Sequence, residues 1–288
     1  MVLLADKDIK TREVLDWKGV HLLHFSGSSC SQKTRIFLNL KGIDWVSHPI
    51  NLAMGGAQKP WFLGVNPRGL VPVLVHDGNV HIESNDILDY LEQTFPSPSL
   101  IPSELSKEIH EGLKEENDLH MELRAISMRF VFTQILGQKN RSELQSYKKN
   151  KGTIQGSFDP KKQAEIDFWT NMVEYGITDK QTYDAVLAFR NVYDKYERNL
   201  AIKKYLLTDE ITLLDIAWFI YTHRLKTAGY PFSTLHPRVY KWYNGLLAKP
   251  EFSKEIKTTF SLKVITKLLH GVQKASGNTL TKVANLIT

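Results

Sequence analysis

The stretch that most limits what this chain can fold into runs from Val20 to Ile50. VHLLHF is an apolar run suited to a buried strand, SSCSQKTRIFLNLK carries its apolar residues at helical spacing, and Gly42 supplies a helix stop before WVSHPI, a second apolar run. The reading is a strand over 20–25, a helix over 29–41 and a strand over 45–50. Together they make a strand–helix–strand crossover unit.

Beyond Ile50 the alternation of strands and helices continues. A Gly55-Gly56 break precedes a short helix near 60–64 and the turn Asn66-Pro67-Arg68-Gly69. Segments 71–75 and 80–82 flank His76-Asp77-Gly78-Asn79, and Asp-Gly is a favoured pair for a tight hairpin. Glu83-Ser84-Asn85-Asp86 reads as a helix start, with Ile87, Leu88, Leu91 and Phe95 on one face and Pro96 and Pro98 as the stop. The order strand, helix, strand, helix, strand, strand, helix predicts an α/β thioredoxin-like domain over 20–96, and 97–102 reads as a linker.

From Ser103 onward amphipathic segments dominate and strand signals all but vanish, which predicts an all-α helical domain over 103–260 and a tail over 261–288. Within the helical part, the polar, basic segment 139–156 reads as a long connection or weak helix. Residues 184–199 are amphipathic, and Thr212-Leu-Leu-Asp215 has the spacing of a capping box, which makes Asp215 a cap rather than a catalyst. Ile216 to Tyr221 is apolar all round, as in a helix through the middle of a bundle. The tail bears lysines and no acid after Glu255, and its stripe of Leu262, Ile265, Leu268, Leu269 and Val272 is expected to pack over the protein or a sister subunit rather than on a membrane.

Composition narrows the classes. Fractions of 42% hydrophobic and 24% charged residues suit a globular protein, and no run of about 18 apolar residues offers a membrane span. Residues 1–19 mix acids with lysines, unlike a secretory or transit peptide, and read as a short extension or frayed terminus. One cysteine rules out an internal disulfide and a cysteine-based metal cage, so the expected setting is the reducing cytoplasm, with no metal. The net charge of +6 comes from dispersed lysines without a nucleic-acid-binding module, so no nucleic acid is expected as a partner.

The chemistry points to the end of the first strand. Ser28, Ser29 and Cys30 sit where the first turn of a helix has unpaired N–H groups and its dipole favours negative charge, so the junction is a candidate anion site.

Four runs carry a family resemblance: SSCSQKTRIFLNLKGI from Ser28, NPRGLVPVL from Asn66, ESNDILDYLEQTFP from Glu83 and TLLDIAWF from Thr212. The chain resembles cytosolic glutathione transferases over roughly residues 20 to 255. Ser-Ser-Cys-Ser is similar to the zeta class, the maleylacetoacetate isomerases, although Gln32-Lys33 stands where that class has Trp-Arg. NPRGLVPVLVHDGNVHIES is similar to β-etherase-type members. SQKTR, PWF, VPVL and DYLEQTF are similar to the ganglioside-induced differentiation-associated protein family, whose terminal apolar anchor differs from the lysine-interrupted tail here.

The resemblance implies glutathione as cosubstrate and a role for each matching residue. A hydroxyl at Ser28 or Ser29 favours the glutathione thiolate, while Cys30 is the alternative, forming a mixed disulfide in cysteine-type members. Val71 in a cis Val71-Pro72 turn pairs with the peptide, Ser84 holds the γ-glutamyl carboxylate, Glu83 faces its ammonium, and Lys59 takes the glycyl carboxylate. Trp218, Tyr221 and Trp242 line a second pocket or belong to the core. The implied activity is conjugation to, or ether or thioether cleavage of, a small hydrophobic electrophile by a cytoplasmic homodimer with a detoxifying role. The alternatives are a non-catalytic binding or regulatory protein and a cysteine-type thiol transferase.

Overall fold

The computed structural model describes residues 2–131, 144, 145, 148, 149, 154, 157, 159–257 and 260–287, with backbone alone at 53 and 260–263. The basic segment 139–156 therefore lies largely outside the described residues. The chain forms two compact units, Met1–Pro98 with Gln138–Gly176, and Ser99–Gly137 with Ile177–Thr288. The helices in chain order are α1 (Ser29–Lys41), α2 (Pro60–Val65), α3 (Ser84–Thr94), α4 (Ser106–Asp118), α5 (His120–Phe130), α6 (Pro160–Tyr175) and α7 (Asp179–Asn199). They continue with α8 (Leu213–Ala228), α9 (Phe232–Leu235), α10 (Pro237–Leu247), α11 (Pro250–Ser253), α12 (Phe260–Ala275) and α13 (Leu280–Leu286).

The first unit is built on a five-stranded sheet of β1 (Val2–Leu3), β2 (Val20–His24), β3 (Val46–Pro49), β4 (Val73–His76) and β5 (Asn79–Ile82), in the order β1-β5-β4-β2-β3. β2 and β3 run parallel across the α1 crossover, and every other pair is antiparallel. Side-chain alternation sorts the strands into two faces. Leu23, Val73, Val75, Val80 and Ile82 join Phe62 and Val65 of α2 in one buried cluster. Leu22, Leu74 and His81 share a cross-strand row on the opposite face, where His81 stacks on Tyr90 of α3 at 3.8 Å between ring centroids. Each fully buried Leu, Val or Phe contributes about 1.5–3 kcal/mol.

Within the expected extension 1–19, the described residues 2–19 are neither frayed nor a mere extension. β1 pairs with β5, the Leu4 N–H donates to the Val80 carbonyl at 2.9 Å, and Leu4, Ile9 and Val14 are buried in the sheet cluster. The Gly64 carbonyl accepts from the Lys10 and Thr11 N–H groups at 2.7 and 3.0 Å. Gly64 permits this approach, since a Cβ there would meet Thr11 Oγ1 at 2.3 Å. The sequence hides the segment because its anchors fall five residues apart, which matches neither a strand nor a helix period.

In the second unit, α8 runs with Leu213 through Thr222 all buried, as its all-round apolar character predicts. It packs beside α4 so closely that a Cβ on Gly112 would lie 2.5 Å from Leu214 Cδ1. Thr178 and Gln181 form a capping box that starts α7 five residues ahead of the predicted 184–199 segment. The stripe on α12 is in part exposed among the described residues. Ile265, Leu268 and Val272 are exposed, with Leu268 and Val272 at 68% and 70%. Among the described residues no helix is long and apolar enough to cross a membrane.

Candidate functional site

β2 ends at His24, and the chain turns through Phe25, Ser26 and Gly27 into α1. Ser28 is the N-cap, its Oγ accepting from the Ser31 N–H at 3.3 Å. The turn is pinned from inside by two buried side chains of α1. Ser31 Oγ accepts from the Phe25 N–H at 3.3 Å. Arg35 reaches back to the Phe25 carbonyl at 3.3 Å, the Ser26 carbonyl at 3.2 Å and His24 Nδ1 at 3.1 Å. Ser28, Ser29 and Cys30 are left half-buried.

Sequence reasoning missed Arg35. A cation within QKTR reads as one more exposed helix charge, and its acceptors lie nine to eleven residues back in a turn of no fixed pattern.

The sheet register aligns the remaining candidates. His24 is paired with Pro49 of β3, Leu23 with Val73 and Val73 with Ile82, so Pro72 and Glu83 directly adjoin the paired ends of β4 and β5 at this end of the sheet. Pro49, His24, Pro72 and Glu83 thus form a row along one end of the sheet, about 14 Å across three strand spacings. The row ties together Ser28 to Cys30 after His24, Val71 before Pro72, and Ser84 after Glu83.

The Val71-Pro72 peptide is cis, as expected. Its approach is held by Asn66, whose Nδ2 donates to the Leu70 carbonyl at 2.8 Å and whose Oδ1 accepts from the Arg68 N–H at 3.0 Å. At the Pro49 end lies an open hollow of about 370 Å³ lined by Pro49, Asn51, Trp61, Phe62 and Lys59, the last being the N-cap residue of α2.

Glu83 is the most unusual residue of the row. Its φ of 69° is in a region that non-glycine residues avoid, and it caps α3 without a side-chain bond to that helix. Its carboxylate instead pairs with Arg68 Nη1 and, at 2.8 Å, with Lys161 Nζ on α6. Arg68 also binds Asp159 through two parallel bonds, Nε to Oδ2 at 2.7 Å and Nη2 to Oδ1 at 3.0 Å. Burial works to lower the Arg68 pKa, but the bonds and charges of Asp159 and Glu83 outweigh it and push the pKa up. Asp159 accepts from the Lys161 N–H as the α6 N-cap, and Lys162 Nζ donates to the Pro67 carbonyl at 3.0 Å. The start of α6 is thereby docked on the Asn66–Gly69 turn.

The second unit places its candidates in the core. Trp218, Tyr221 and Trp242 are buried, so the core alternative holds for all three. Asp215 is inaccessible and accepts from the Thr212 N–H and Oγ, the Leu206 N–H and Trp242 Nε1, all at 2.9–3.0 Å. Burial pushes its carboxyl pKa up against the opposing pull of those donors. Among the described residues no group of three or more His, Cys, Asp or Glu is arranged to hold a metal.

The first unit thus joins a thioredoxin-like sheet to a hydroxyl-capped helix start and an acidic residue ahead of α3, and an all-α unit accompanies it in the same chain. Residues 27–94 match the family described as glutathione S-transferase, N-terminal domain, and residues 163–250 match glutathione S-transferase, C-terminal domain. A probable maleylacetoacetate isomerase of Caenorhabditis elegans is 31% identical over 206 residues, covering 68% of this chain and 89% of that protein. The chain belongs to the glutathione S-transferase family.

Glutathione S-transferase 1 of Dianthus caryophyllus is 44% identical over 88 residues, 31% of this chain, and the match spans 40% of that relative's length. A maleylacetoacetate isomerase of Pseudomonas aeruginosa is 42% identical over 80 residues, 27% of this chain and 38% of its own. Among solved structures, the β-etherase LigF from Sphingobium sp. strain SYK-6 superposes with a TM-score of 0.70 at 23% identity, over 82% of this chain and 98% of its own. At that identity the likeness is one of fold.

Proposed function

We propose that this chain is a glutathione-dependent transferase that turns a bound thiol into a thiolate and directs it at a small apolar or aromatic electrophile. The observation that supports the reading is that β2, β3, β4 and β5 have their Pro49, His24, Val73 and Ile82 ends on the same side of the sheet, with Pro72 and Glu83 directly adjoining them. That end of the sheet, roughly 14 Å across, suits an extended tripeptide with charged ends, since three residues span about 10–11 Å before their side chains.

The residues fit the chemistry that glutathione supplies, a thiol between two carboxylates and an ammonium. Ser84 and the first N–H groups of α3 bind a carboxylate at one end, and Lys59 beside its hollow binds the other. Val71 offers backbone groups to the middle of the peptide, at a sheet end where a short strand can be added.

Ser28 is our choice for the sulfur. Its Oγ already accepts the Ser31 N–H, so its own O–H is the group left to donate outward. A donor aimed at sulfur, with the α1 dipole behind it, favours the charged form, and each pKa unit of lowering is worth about 1.4 kcal/mol. Cys30, a half-buried thiol in the first turn of the same helix, supports a second reading, a thiol transferase working through a mixed disulfide.

The test is direct. Absorbance of the thiolate is followed against pH with saturating glutathione in wild type and in Ser28→Ala, Ser29→Ala and Cys30→Ala. The proposal expects the thiolate pKa to rise by about one unit or more in Ser28→Ala alone. Loss of turnover in Cys30→Ala alone, with a glutathione adduct in wild type by mass spectrometry, selects the second reading. A melting temperature that saturating glutathione leaves unmoved defeats both. Relatives are named maleylacetoacetate isomerase, so maleylacetoacetate belongs in the electrophile panel beside aryl ethers and halogenated aromatics. A cytoplasmic, detoxifying homodimer completes the proposal, and sedimentation at the mass of one chain would remove the dimer from it.

A further inference from the structure

We infer that Lys161 is a built-in stand-in for the ammonium of the γ-glutamyl group, seated on the Glu83 carboxylate and displaced when glutathione binds. The inference rests on the proposed glutathione site and adds a residue that sets its selectivity.

The charges at this corner are not equivalent. Arg68 and Asp159 are locked, with side chains only 7% and 2% exposed and two parallel bonds between them. Arg68 spends its remaining edge on one oxygen of Glu83. The other oxygen of Glu83 pairs with Lys161 Nζ at 2.8 Å, and the Lys161 side chain is 51% exposed. Lys162, which feels the Asp159 charge, is tied to the Pro67 carbonyl, and Lys161 is the cation that meets the outer Glu83 oxygen. An ammonium of a ligand would do the same at the same oxygen.

Lys161 is suited to being displaced. An exposed lysine ion pair is weak, because the side chain gives up rotamer freedom and water screens the attraction. Its backbone stays where it is, since Asp159 caps α6 and Lys162 bonds the Pro67 carbonyl. The head group can therefore leave while α6 remains docked. Glu83, in contrast, cannot follow it. The left-handed backbone at φ 69° and the buried Arg68 hold the carboxylate in place, ready for the next cation. A ligand without an ammonium has nothing to offer that oxygen and gains nothing from displacing the lysine.

The experiment compares two probes by calorimetry on the full chain: glutathione, and glutaryl-cysteinylglycine, which keeps both carboxylates and the thiol but lacks the amino group. Lys161→Gln is expected to tighten glutathione about threefold to fivefold, the inverse of a weak surface pair, and to leave the des-amino probe within about twofold. Lys161→Arg, which keeps a cation there, should behave as wild type with both. A melting temperature within about 1 °C of wild type checks that Lys161→Gln is folded. Equal shifts for the two probes, or weaker glutathione binding in Lys161→Gln, overturn the inference while leaving the glutathione site intact. Failure of wild type and variants alike to bind either probe refutes the glutathione reading itself, and the inference with it.

Discussion

Of the helices that begin with a hydroxyl residue followed by a polar residue three positions on, α8 and α1 put that beginning to different uses. At the start of α8, the Asp215 carboxylate collects four donors in a fully buried setting, so every group is consumed by the fold. At the start of α1, Ser28 accepts one N–H, and it and the next two side chains are only half-buried. The first arrangement is a structural knot. The second keeps the Ser28 hydroxyl in a half-buried setting, which is why we propose chemistry there and stability at α8.

The contrast can be broken most forcefully at Asp215. Asp215→Ala strands several buried donors at about 1–3 kcal/mol each, so the variant should lose at least about 3 kcal/mol in urea unfolding, with glutathione affinity unchanged wherever it remains folded. A loss under about 1 kcal/mol would mean that the knot is not structural.

The next effect is a matter of pH. Burial, with help from the His76 charge, lowers the His81 pKa to about 4, and neither ring nitrogen has a hydrogen-bond partner among the described residues. Burial likewise lowers His223 in the second unit to about 3, although its Nδ1 bonds the Tyr243 hydroxyl at 2.9 Å. A depressed histidine pKa means that the unfolded chain takes up the proton first. Stability is therefore full above about pH 6.5 and falls as pH drops toward 4. His81→Phe removes one of these titrations, so its unfolding free energy should decline less than wild type between about pH 7 and pH 5. A parallel decline would show that the His81 environment is not responsible.

The smallest effects sharpen the comparison at α1 itself. Ser28→Ala forfeits a cap worth about 1 kcal/mol, whereas Ser29→Ala should stay within about 0.5 kcal/mol, both read from denaturant midpoints at constant m. If the two variants cost the same, Ser28 is not the residue that organises this helix start.

Much of the site was legible because its signals are local. The bounds 29–41 for α1 follow from a serine cap and from Gly42, which adopts φ 64°, and the hairpin follows from His76-Asp77-Gly78-Asn79. The tight turn before Val71-Pro72 and the box at Thr212–Asp215 were readable for the same reason, as each closes within four or five residues. Strand limits shifted by one or two residues, since pairing rather than composition decides where a strand stops.

The illegible parts join distant segments. Arg68 meets Asp159 ninety-one positions away, Lys161 meets Glu83 across seventy-eight, and Val2 pairs with Ile82. Nothing in the spacing of charges along a chain says which carboxylate an arginine will find once the sheet has formed. Asp159 and Lys161, read by sequence as part of the helical half, belong by packing to the unit that carries the sheet.

What the amino-acid order determined by itself is the run of elements from Val20 to Thr94 and the box at Thr212–Asp215, because short-range sterics and hydrogen bonds act within a turn or two of the chain. Only the tertiary structure decided the row that sheet register draws from Pro49 to Glu83, the arginine beneath the α1 turn, and the cation already resting on Glu83. Register and burial convert separate residues into neighbours, and the free energy of those contacts exists only once the chain has closed on itself.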